Sequence, residues 1–171
     1  MIQHKEIELV PLENEDLEFI LTWFNEMPLT RLVRTKKMLN KEELLSLVES
    51  MRLQDDNLLF SVKKNSKTHI GFAFVENMDW FNSTATIKTY VDVKDPNCSR
   101  FDKLTIELLV GYLISKLGIN RVSTEVLISD VYQTKLYKDV GFKPEVKKRN
   151  HYFTGGKFHH VVEMALLAER R

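Results

Sequence analysis

With a single cysteine, Cys98, the chain can form no intramolecular disulfide, which excludes a stapled miniature scaffold and suits a reducing compartment. Long apolar runs are missing as well. No stretch approaches the roughly 20 apolar residues of a membrane span, and the opening Met-Ile-Gln-His-Lys-Glu lacks the apolar segment of a secretory signal. We expect a cytoplasmic protein with no membrane partner. A surplus of either charge is the third absence: 25 Lys and Arg stand against 24 Asp and Glu. No global field therefore points to nucleic acid, and a small partner is expected. Repeats, low-complexity tracts and linkers are also lacking, so residues 1–171 read as one domain large enough to bury its own core.

What is there is a regular alternation of elements. Glu8-Leu9-Val10-Pro11 ends a short strand, after which Asn14 is placed to cap a helix with Leu17, Ile20, Leu21 and Phe24 at helical spacing. Asn40 with Glu43 forms a capping box for a second helix carrying Leu44, Leu47, Val48 and Met51. Leu58 to Lys64 and His69 to Val75 flank the polar turn Asn65-Ser66-Lys67, and Thr84 to Val93 is a further strand rich in β-branched residues. From about Ser99 to Leu117 runs a helix apolar around most of its circumference, hence buried, with Gly118 as its cap. Arg121 to Ile128, a helix from Tyr132 to Val140 ending at Gly141, and a hairpin of Phe142 to His151 with Phe158 to Leu167 complete the chain. Thr154-Gly155-Gly156-Lys157 supplies the hairpin turn. The class is α/β or α+β, a mixed sheet of about seven strands flanked by about four helices.

The segments YLISKLGINRVSTEV from Tyr112, VYQTKLYKDVGF from Val131 and HYFTGGKFHHVVEMALL from His151 resemble the GCN5-related N-acetyltransferases (GNAT), in particular the RimJ/RimL branch. That resemblance implies acetyl-CoA as donor and a primary amine of a small molecule or a protein N-terminus as acceptor. It also implies a V-shaped splay between the fourth and fifth strands, those of Thr84–Val93 and Arg121–Ile128. LYKDVGF at 136–142 matches a family segment whose tyrosine, here Tyr137, is assigned as general acid. A positioned proton donor helps a thiolate to leave. The amine must also lose a proton, and Glu125, Glu76 and Asp79 are the carboxylates for that task; each also reads as an ordinary strand or loop residue. The branch often has glutamate where this chain has Thr86.

The donor contacts implied are Val91, Val93, Asn97, Ser99, Arg100, Phe101, Lys103 and Asp130. Here the chain departs from the family. Its phosphate loop, Q/R-x-x-G-x-G/A, uses glycine so that backbone N–H groups approach phosphate at a helix start. The matching stretch is Asn97-Cys98-Ser99-Arg100-Phe101-Asp102, with Arg100 and Asp102 in the glycine places. A carboxylate at Asp102 disfavours a pyrophosphate in the usual pose. Arg100 and Lys103 offer side-chain charge instead, or are simply solvated, and Ser99 is placed to cap the helix. Asp130 replaces a frequent asparagine, exchanging a donor for an acceptor.

His159 and His160 fall on opposite faces by alternation, and no spacing resembles a metal site, so no metal is expected. Lys147, Lys148 and Arg149 read as solvating a strand edge. Three functions remain open: an acetyl-CoA dependent N-acyltransferase, a non-catalytic binding module on the same fold, and an acyltransferase with another donor such as acyl carrier protein. A monomer or homodimer is expected.

Overall fold

A computed structural model describes residues 2–26, 38–65 and 67–169, without the side chains of Phe24 and Glu26. The Phe24 side chain and Ser66 of the polar turn therefore lie outside the described residues. The elements are β1 (Ile2–Gln3), β2 (Ile7–Pro11), a 3-10 turn (Asn14–Asp16), α1 (Leu17–Glu26), α2 (Lys41–Arg52), β3 (Leu58–Lys64), β4 (Thr68–Asp79), β5 (Thr84–Val91), α3 (Cys98–Leu117), β6 (Arg121–Leu127), α4 (Val131–Val140), β7 (Lys143–Thr154) and β8 (Lys157–Leu167). The strands form one mixed sheet in the order β1-β2-β3-β4-β5-β6-β8-β7.

Eight strands replace the expected seven because Ile2–Gln3 folds back on Leu9 and Glu8, a two-residue pairing with no periodicity of its own to read. The splayed pair is consequently β5 and β6. The Asn40 capping box and the glycine helix ends act as anticipated. Asn40 accepts the Glu43 N–H at 2.8 Å while Glu43 accepts the Asn40 N–H at 3.0 Å, closing the capping box. Gly118 and Gly141 end α3 and α4 at φ 70° and 113°, a region that suits glycine.

Asn14 does not cap α1. It lies inside the 3-10 turn, and its side chain accepts from Arg52 at 2.7 Å. Asp16 takes over the helix entry. One of its oxygens accepts the Glu13 N–H at 2.9 Å, and the other meets His69 Nε2 at 3.3 Å and Lys63 Nζ at 3.5 Å. His69 Nδ1 is in turn 2.9 Å from Ser61 Oγ, and Phe19 stacks on the imidazole. This clasp fastens α1 to β3 and β4.

Alternation along the strands divides the core in two. Ala73, Val75, Ala85, Ile87, Val91, Val122 and Val126 face α3 and α4, where Phe101, Ile106, Leu109, Leu113 and Leu136 meet them. Phe72, Phe74 and Tyr90 point the other way, into an aromatic cluster with Leu17, Ile20, Trp23, Leu44 and Val48 of α1 and α2. β5 and β6 are parallel, and each is followed by a helix. The first turns of α3 and α4 thus open at the same end of the sheet.

Candidate active site

β5 and β6 pair only through Thr84, Ala85 and Thr86 with Arg121, Val122 and Ser123. Beyond that the two strands run on to Val91 and Leu127 without ladder bonds to one another. The facing edges form a wedge whose backbone N–H and C=O groups need other partners. Thr86 Oγ1 and Ser123 Oγ, 3.1 Å apart, mark where it opens.

Tyr137 closes the wedge from the α4 side. Its ring is 3 % exposed and packs edge-on against Phe142. Its hydroxyl is 3.4 Å from Thr89 Oγ1 of β5 and also hydrogen-bonds to Thr124 of β6, so one phenol spans both strands where their backbones have parted. Burial, aided by the nearby Asp102 charge, raises its pKa above that of an ordinary phenol and keeps the proton on oxygen at neutral pH.

The opposite face of the wedge carries Glu76, Lys88, Thr86, Ser123 and Glu125, by the same alternation that sends Tyr90 toward α1 and α2. Glu76 meets Lys88 at 2.6 Å. Glu125 meets Lys148 at 2.5 Å, and Lys148 also reaches Glu163 at 2.9 Å, so that lysine bridges strands as well as solvating an edge. Arg121 holds Glu145 at 2.6 Å and Glu163 at 3.3 Å. Tyr137 and the two proposed bases therefore approach one gap from opposite sides. Asp79 is not among them: it turns to the β4–β5 loop, accepting from the Asn82 N–H and amide.

At the mouth the donor candidates have several fates. Val91 is buried and Val93 exposed. Asn97 is the residue before α3, with no side-chain capping bond, and Ser99 lies within the first turn rather than at the cap. The Phe101 ring is core, beneath Lys64, which leaves its backbone alone toward a ligand. Arg100 reaches Glu6 at 2.5 Å and Lys103 pairs with Glu107 at 3.7 Å. Asp130 caps α4 by accepting the Gln133 N–H at 3.0 Å.

Asp102 does not lie on the surface. It is 5 % exposed, and its Oδ2 accepts the Tyr132 hydroxyl of α4 at 3.1 Å. Burial, reinforced by Asp130, lifts its pKa to about 7 against the bond from Tyr132. Tyr132 is pushed up to about 12 by burial and by Asp102 while also bonding Ser99, so it links the first turns of the two helices. Tyr132 was not read from sequence. Its role depends on how α3 docks on α4, and an i, i+5 offset from Tyr137 on its own helix gives no hint of it.

The open edge of β5 offers main-chain groups to an amide-bearing arm, and two helix starts converge beside it. Such groups suit the arm of an acyl-CoA, while Asp102 stands where a phosphate loop usually has glycine. A mixed sheet splayed between parallel strands, with a buried tyrosine at the gap, defines an acyltransferase architecture. A family model, "Acetyltransferase (GNAT) domain", matches residues 9–162, and the chain belongs to that family. It is an N-acetyltransferase domain of the kind that uses acetyl-CoA. No curated protein matches the chain. Among solved structures it is similar to spermidine N-acetyltransferase from Vibrio cholerae in complex with CoA and spermine, at 19 % identity and TM-score 0.86, covering 96 % of each chain. A chimera of that enzyme with hSSAT has 20 % identity and TM-score 0.85, covering 94 % of this chain and 95 % of the other. A dodecameric form in an intermediate state has 19 % identity and TM-score 0.82, covering 96 % and 95 %. Among the described residues no helix is long and apolar enough to cross a membrane.

Proposed function

We propose that residues 1–171 act as one domain transferring an acetyl group from acetyl-CoA to a primary amine of a small cationic molecule, with Tyr137 as general acid. The observation that carries this is the placement of one buried, protonated phenol across the gap between β5 and β6. When bound, acetyl-CoA supplies an acyl group activated as a thioester. The β5 edge with Val91 and Val93 holds the amide-bearing arm, and the start of α3 with Asn97 and Ser99 receives the anionic end. Tyr137 keeps a proton where a leaving thiolate needs it. From the other face Glu125 or Glu76 receives the proton that the amine must lose, directly or through a water between Thr86 and Ser123.

The acceptor class follows from the floor of that face, where Glu76, Glu125, Glu145 and Glu163 meet Lys88, Lys148 and Arg121, with His151 also 3.8 Å from Glu125. A cationic amine can replace a lysine there. The Vibrio cholerae relative bound to spermine supports a polyamine-like acceptor over the peptide N-terminus typical of the RimJ/RimL branch. Release of free CoA from acetyl-CoA, measured with polyamines, short diamines and peptides with free N-termini, tests this. Turnover with polyamines and diamines is expected. Turnover with peptides alone reassigns the acceptor. No turnover with any amine favours the second reading, a non-catalytic binding module, for which the buried Asp102 in a glycine place is the specific support. The same preparations run by size exclusion decide whether the chain is a monomer or homodimer.

A further inference from the structure

We infer that Asp102 enters the donor complex as a neutral carboxylic acid: binding of an acyl-CoA takes one proton from solvent onto Asp102, which then donates a hydrogen bond to the anionic end of the donor. This rests on the donor reading above. Asp102 lies one turn into α3, its side chain directed at the first turn of α4, so its carboxyl sits between two helix starts that both favour an anion. Its Oδ2 is taken by Tyr132, and its Oδ1 is buried with no hydrogen-bond partner. Thr105, on the same face three residues on, and Thr134 of α4 also have buried hydroxyls without partners. Unpartnered buried polar atoms concentrated on two facing helices mark a place completed by something else.

Among the described residues no cation is paired with Asp102. Among the described residues, Arg100 pairs with Glu6, Lys103 with Glu107 and Lys64 with Asp95. The groups that act on it are Tyr132 and Tyr137 of α4 and Asp130 at the α4 cap; Ser99 and Cys98 of its own helix act on Tyr132, and Thr89 of β5 and Thr124 of β6 on Tyr137. The one carboxylate among them, Asp130, disfavours ionisation of Asp102, as burial does. A phosphate brought to the mouth acts in the same direction and completes protonation. A neutral acid has a proton to donate where a carboxylate would repel. This explains how a chain with aspartate in a glycine place retains the donor of its family.

The test is calorimetry of acetyl-CoA binding to the wild type, Asp102→Asn and Asp102→Gly between pH 7 and 9, in two buffers of different ionisation heat. In the wild type Kd is expected to rise about tenfold per pH unit above 7, with about one proton taken up on binding. Asp102→Asn keeps the shape without the titration and is expected to bind with a flat profile, at least about tenfold tighter than wild type at pH 8.5. Asp102→Gly, which needs no partner for an amide, is expected to be equally flat. A flat wild-type profile, or an asparagine variant with the wild-type slope, overturns the inference and leaves the donor reading intact. No binding by any of the three at any pH overturns the donor reading, and this inference with it.

Discussion

The two faces of the wedge compensate their carboxylates in opposite ways. On the α3 and α4 face, Asp102 is deeply buried, shares one oxygen with Tyr132 and has no cation beside it among the described residues. On the other face, Glu76 and Glu125 each touch a lysine and keep partial access to water. A proton answers for burial on one side and an ammonium on the other. The first arrangement is sensitive to pH and the second to competing amines.

The sharpest way to break the contrast is at the phenol between the faces. Tyr137→Phe retains the ring packing on Phe142 and removes the proton, and turnover is expected to fall about 10²- to 10⁴-fold with donor affinity little changed. Acetyl transfer measured after circular dichroism has confirmed folding decides it; equal turnover ends the acid assignment.

The next effect is on stability. The folded pKa of Asp102, about 7, stands above an unfolded value near 3.9, so the native state holds the proton more tightly. Its contribution to stability is greatest below about pH 4, declines as pH rises toward 7 and is constant above, a loss on the order of 2–4 kcal/mol. Urea unfolding at pH 5 and pH 8 should show that loss in the wild type relative to Asp102→Asn. Parallel behaviour of the two proteins would remove the buried-acid description.

On the acceptor face the effects are smaller. Lys88→Ala releases Glu76 to an incoming amine, and KM for a polyamine is expected to drop at most about fivefold at similar kcat, the scale of a partly exposed ion pair. A raised KM would mean that Lys88 helps to place the acceptor instead. The smallest effect lies away from the wedge, in the clasp of Asp16, His69 and Ser61. Burial, then Lys63, lowers the His69 pKa against the pull of Asp16. Its contribution is full above the unfolded value near 6.5 and is lost as pH falls below it. Thermal melts of His69→Gln between pH 7 and pH 5 should lack that acid loss, a slope opposite in sign to that of Asp102.

Most elements were legible because their causes are local. The Asn40 and Glu43 box, the glycine ends of α3 and α4, and the Gly155-Gly156 turn each specify a backbone conformation within a few residues. β1 was not legible, since two residues carry no period. Asp16 displaced Asn14 as the helix-entry residue because its partners His69 and Lys63 arrive from strands more than 45 residues away. In the site, Tyr137 was readable from the segment around it. Asp102 was readable only as a missing glycine. That it turns inward to Tyr132, instead of standing in solvent, follows from the contact of two helices and from no pattern along either one.

The short pairing of β5 with β6 has a mechanical side. Among the described residues, three residue pairs form the ladder between the plate β1 to β5 and the plate β6, β8 and β7. The pairings from β2 to β5 and from β6 through β8 to β7 each run over at least five residue pairs, so this seam is the place where the two plates can loosen separately, with α3 and α4 as the packing that spans them. A chain of amides laid along the open edge of β5 becomes a strand in all but name. Bonds from it would hold β5 along the stretch where β6 gives it no backbone partner.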